Sequence, residues 1–217
     1  MFIGHYGVAL AAKKVAPQTS LGALFFAAQF IDLLWPFFLL SGIEIVRIDP
    51  GNTKFTPLDF VSYPYSHSLA MVIVWGAAVG GGYFALRRSR NGALALGALV
   101  LSHWILDLIT HRPDLQLAPG SEIRVGFGLW DFVVASVALE FAIFAVGLFL
   151  YTRTMKAKDK TGRFALWGLV AFLLITWAGA IFGPPPPSVT MVAFPALLLW
   201  LLIPWAIWID RHRSASV

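Results

Sequence analysis

The stretch GALALGALVLSHWILDLITH, residues 92–111, decides how this chain folds. Its first ten residues are wholly apolar, and about 20 helical residues are what a hydrocarbon core requires of a spanning helix. Its second half nevertheless carries His103, Asp107 and His111 at intervals of four. Such residues advance by roughly 40° per step around a helix, so the three line one face. A greasy helix with an ionisable stripe reads as a membrane span that turns a polar seam toward its neighbours.

The rest of the chain agrees. Of 217 residues, 59% are hydrophobic and only 12% charged, and the mean hydropathy is +0.76. A soluble domain is nearer half apolar and a quarter charged, so the solvent for this protein is a bilayer. There are no cysteines, which excludes disulfides and thiolate metal sites; any metal must be held by imidazole and carboxylate. The opening MFIGHYGVALAAKK is not a signal peptide, because its lysines follow the apolar run instead of preceding it.

The expected fold is all-α: a single transmembrane domain over 1–217, with six spans at 20–43, 66–86, 92–111, 128–151, 163–183 and 189–209. A segment at 2–15 is too short to cross alone and reads as a half-helix. A site core over 1–131 is followed by additional helices over 132–217. The links IDPGNTKFTP, RRSRNG and GPPPPS read as turn-rich, basic and polyproline-II spacers. In this layout twelve Lys and Arg fall on one side, while Arg47, Lys54, Arg112 and Arg124 fall on the other. The positive-inside rule then places both termini in the cytoplasm, with 44–65, 112–127 and 184–188 outside. The net charge of +5 is thereby a topology signal and calls for no nucleic-acid partner.

Ionisable side chains cost roughly 2.5–3.5 kcal/mol each at the centre of a span, so they are rare and usually functional. His5, Asp32, His67, His103, Asp107, His111, Asp131 and Glu140 all lie within or at the ends of apolar segments. Any one histidine on an apolar face reads more readily as a packing residue. His5, Asp32, His67, His103, Asp107 and His111 together favour a shared site in the outer half of the membrane. Glu140 reads as a buried hydrogen-bond partner, and Asp131 either caps a helix or points at the site.

His103 and His111 lie about 12 Å apart along the axis, too far to share one ion with metal–ligand bonds of about 2.0–2.2 Å. His103 and Asp107 can hold one ion, or Asp107 can bridge two. His111 then joins a second ion or handles substrate beside His67. Mixed His and Asp ligands suit Zn²⁺, with Mn²⁺ or Fe²⁺ as alternatives, better than Mg²⁺ or Ca²⁺.

The chain also resembles the bacterial multi-pass family of membrane-bound metal-dependent hydrolases. The resemblance rests on GHYGVALAAKK at 4–14, AAQFIDLLWP at 27–36, YSHS at 65–68, SHWILDLITHRPD at 102–114 and GLWD at 128–131. It implies that His5, Asp32, His67, His103 and Asp107 are metal-site residues, with His111 adjoining, in a bacterial inner membrane. The His-three-Asp element is similar to one in zinc-dependent phospholipases C, which implies a phosphoester substrate. YSHS departs from the family's more common Arg-Gly-Thr-His-Ser form, so that arginine is missing or moved. On this reading metal-activated water attacks the substrate, and His111, His67 and Asp107 carry the catalysis. Arg112 and Asp131 would hold a substrate that is lipid or lipid-linked, with membrane lipids as the surroundings. The alternative is a proton- or metal-coupled permease using the same cluster; a metal serving only as a structural staple is a third reading.

Overall fold

The chain, described over residues 1–215 by a computed structural model, is the expected all-α bundle. It opens with α1 (Ile3–Ala12), a short apolar helix, then α2 (Leu21–Ala28) and α3 (Phe30–Leu40). A hairpin of β1 (Ile45–Ile48) and β2 (Leu58–Ser62) leads into the single turn α4 (Pro64–His67) and the long helices α5 (Leu69–Arg87) and α6 (Arg90–Thr110). The short pair β3 (Leu115–Gln116) and β4 (Arg124–Val125) precedes α7 (Val133–Thr154). After β5 (Met155–Ala157) come α8 (Lys160–Phe182), α9 (Thr190–Leu197), α10 (Leu202–Arg211) and β6 (Arg213–Ala215).

Among the described residues, five helices are long and apolar enough to cross a membrane: α5, α6, α7, α8 and the run Thr190–Arg211. The expected first span is broken instead, with α2 and α3 meeting at 52°. Gln29 leaves helical geometry at the junction, and the Ala28 carbonyl drops out of the helical ladder. The last span is also interrupted, by a 3₁₀ turn at Leu198–Leu201. Pro195 and Pro204 each lack the N–H that would bond one turn back, which loosens the run on both sides of that turn.

Close helix approach is obtained by omitting side chains. Where α5 crosses α6, a Cβ on Gly80 would stand 2.8 Å from the Ala93 carbonyl oxygen, and one on Gly76 3.2 Å from that of Gly97. Small residues allow such backbone contact where lipid supplies no hydrophobic drive. Between α1 and α7 the same device operates at Gly7 and Gly147. Large apolar side chains face outward, including Val134 at 84% and Phe182 at 77% exposure, as a bilayer-facing surface allows.

At the end of α7 remote from the hairpins, the tail is folded in as a clamp. Lys13 Nζ lies 2.7 Å from Asp210 Oδ1, β6 pairs with β5, and His212 Nδ1 lies 2.7 Å from Asp159 Oδ2. Asp159 also caps α8 through the Gly162 amide. The His212 hydrogen bond, followed by the Gly162 amide, holds the Asp159 carboxyl below its usual range.

Candidate metal centre

Five side chains from four segments converge beneath the β1–β2 hairpin. His5 comes from α1, Asp32 from α3, His67 from the end of α4, and His103 and Asp107 from α6. His103 Nε2 is 3.2 Å from Asp107 Oδ2 and 3.5 Å from Asp32 Oδ2. His67 Nε2 is 3.3 Å from Asp32 Oδ1, and His5 Nε2 is 3.2 Å from Asp107 Oδ1. The His5 and His103 rings stack at 3.5 Å. Helices that place these residues at different depths in a straight-helix layout meet because α1 is a buried half-helix and α3 bends.

The tautomers follow from the outer partners. His103 Nδ1 lies 2.6 Å from the Ala28 carbonyl. A carbonyl only accepts, so Nδ1 carries the hydrogen, and in the neutral ring Nε2 presents a lone pair. The α2–α3 break is what releases that carbonyl. His67 is set by a longer chain: the Glu44 carboxylate accepts from the Ser66 hydroxyl at 2.6 Å. Ser66 Oγ in turn accepts from His67 Nδ1 at 2.6 Å. Glu44 also takes the Tyr65 and Ser66 amides at 2.8 and 2.7 Å, which closes the start of α4. His67 Nε2 is therefore also left as an acceptor facing the site.

With both rings neutral, two imidazole lone pairs face two carboxylates across a buried space. These groups repel unless something positive lies among them. His5 Nδ1 and Nε2 and His103 Nε2 are buried without hydrogen-bond partners, and two three-residue sets, His5–His103–Asp107 and Asp32–His67–His103, have ligand atoms within 4.8 Å of one another. The donor set fits a divalent metal, and His–carboxylate or His–carbonyl outer contacts are the usual support for metal-bound imidazole. One positive charge among them is the Met1 amino group, 2.7 Å from Asp107 Oδ1.

His111 is in neither set. Its Nδ1 is 2.9 Å from Asp114 Oδ1 and 3.2 Å from the Tyr63 hydroxyl, and Tyr63 donates a short hydrogen bond to the same Asp114 oxygen. Burial first, then the Asp114 charge, holds the Tyr63 phenol well above its ordinary range, so it remains a donor. The His111 ring packs on Trp130 at 4.1 Å and Phe60 at 4.9 Å. It lines the cavity of about 190 Å³ into which Asp32, His67 and Asp107 also project.

The residues expected to hold substrate lie elsewhere. Arg112 is engaged by Asp59 and Asp114, and neither it nor Asp131 lines the cavity. Asp131 is exposed, and its neighbour Trp130 takes the inward place. A 3₁₀ turn at Leu129–Asp131 sets this phase. Glu140, read from sequence as a hydrogen-bond partner, accepts from the Phe2 amide at 2.9 Å. It also lines the cavity, and its Oε1 is buried without a partner. Glu44 is the residue sequence reasoning missed, since a glutamate in a loop between spans carries no sign of cost.

Comparison with protein-family models, with curated proteins and with solved structures finds no match.

Proposed function

We propose that the protein is a membrane-embedded metal-dependent hydrolase acting on a phosphoester. The observation that carries this reading is the meeting of the His67 and His103 Nε2 lone pairs with Asp32 and Asp107 in a buried cavity. The resemblance of the chain's motifs to membrane-bound metal-dependent hydrolases supports the same chemistry. Zn²⁺ is the ion that mixed imidazole and carboxylate ligands suit best, with Mn²⁺ and Fe²⁺ next. Such an ion would supply an acidified water and a Lewis acid for the phosphoryl oxygen.

The remaining work falls to the chain. His5, Asp32, His67, His103 and Asp107 hold the ion. Asp114 takes the His111 Nδ1 proton in a hydrogen bond and keeps Nε2 as the basic nitrogen at the cavity wall, where it can move a proton to or from substrate. Trp130 and Phe60 exclude water from that ring. The permease reading draws on the same cluster, but α8 and the last span carry no ionisable residue between Arg163 and Asp210 to extend a path.

The test is hydrolysis of phosphomonoesters, phosphodiesters and phospholipids by protein loaded with Zn²⁺ or Mn²⁺. Turnover should vanish in Asp107→Asn together with metal. In His111→Gln, metal should stay and kcat should fall by about 10²–10⁴. Metal-loaded protein that turns over none of these substrates, while folded, contradicts the proposal.

A further inference from the structure

The site cavity does not end at the histidines. It shares Phe55, Thr56, Leu58, Ala180 and Ile181 with a second, larger cavity of about 530 Å³. That outer groove runs between the β1–β2 hairpin and the ends of α8 and α9. Lys54 is the one charged side chain along it. Its far end is walled by Pro184, Pro185, Pro186 and Pro195, and exposed Met191 stands at its rim. Trp130 and Trp177 line the inner cavity alone.

We propose that this groove holds one hydrocarbon chain of a membrane phospholipid whose phosphoester head lies at the metal centre. The placement of the head rests on the hydrolase reading above; the placement of the chain rests on the groove. Three features select a lipid chain over a peptide. The wall prolines offer no N–H to a peptide backbone, so an extended peptide would leave its carbonyls unpaired. The groove is continuous with the site, so one molecule can occupy both. It lies beside the outward-facing apolar side chains at the loop-side ends of α8 and α9, including Phe182 at 77% and Phe194 at 55% exposure, so a chain can enter from the adjoining leaflet.

The experiment uses the full chain in lipid nanodiscs with a phosphatidic acid analogue carrying a photoreactive diazirine in one acyl chain. Labelled residues are mapped by mass spectrometry. Labelling of Phe55, Leu58 and Ile181 should exceed that of Ile175, an outward residue at 73% exposure, by about tenfold, the equivalent of burying roughly two methylenes. Ala180→Trp should fill the groove and remove this excess, leaving labelling at Ile175 unchanged. Groove labelling no stronger than at Ile175, or unaffected by Ala180→Trp, overturns the proposal. Hydrolysis of a water-soluble phosphoester without groove labelling overturns the chain site alone. Groove labelling without hydrolysis of the lipid head supports the chain site and overturns the placement of that head at the metal centre.

Discussion

Replacing Gly7 with alanine tests whether the bundle holds its site by close backbone contact. The added Cβ would lie 2.7 Å from both the Ile143 carbonyl oxygen and Phe144 Cα on α7. Carbon contacts are comfortable only at about 3.5–4.0 Å, so α1 must retreat by roughly 1 Å. Both obstacles are backbone atoms, and no rotamer change relieves them. Overpacking of this kind costs about 1–3 kcal/mol, against roughly 0.5–1 kcal/mol gained from alanine's helix preference. Gly82→Ala on α5, where nothing lies within 4 Å of the new Cβ, receives the gain without the cost. The two variants should differ in unfolding free energy by about 1–3 kcal/mol, measured by denaturant titration in detergent. His5 sits two residues before Gly7 on the same helix, and metal–ligand distances tolerate only about ±0.2 Å. Gly7→Ala should therefore weaken metal binding by about 10–100-fold in a chelator competition. Equal stability and equal metal affinity in Gly7→Ala and Gly82→Ala would refute the argument.

Other outcomes follow from the outer partners and the clamp. Glu44→Gln turns the Ser66 hydroxyl around, since an amide nitrogen donates where a carboxylate accepted. His67 then carries its hydrogen on Nε2, and metal affinity should drop by about 10–100-fold with helix content unchanged by circular dichroism. Arg112→Ala removes a guanidinium that is 37% exposed; it should cost less than about 1 kcal/mol and leave metal uptake intact. Loss of metal uptake in that variant would show that Arg112 shapes the centre. The lowered Asp159 carboxyl stabilises the folded clamp above the usual aspartate range, and this contribution fades as pH falls below about 4. Amide exchange at Gly162, corrected for intrinsic rate, should accelerate over that window and show no such step in Asp159→Ala.

The part of this protein that was legible in its sequence is the part that violates local rules. Apolar runs of span length announced the bundle, and ionisable groups inside them announced the buried cluster, because both are costly unless the fold uses them. Glu140 carried that same sign, as the one acid within the α7 sequence, yet a single buried carboxylate says nothing about which neighbour it meets. The broken first span was less readable. Gln29 is an unremarkable residue, and the consequence of the break, a freed Ala28 carbonyl for His103, appears only when two helices are assembled. Loops gave least. The hairpin that roofs the cavity reads as turns, Glu44 reads as solvated, and a short 3₁₀ turn moves the inward position from Asp131 to Trp130.

The central claim is that the buried histidines and aspartates hold a metal ion. Elemental mass spectrometry of detergent-purified protein, beside a His103→Ala, Asp107→Ala double variant, tests it most directly. The account predicts stoichiometric Zn, Mn or Fe in the native chain and none in the variant. No metal in either, with both proteins folded, would contradict it and return the cluster to a proton relay.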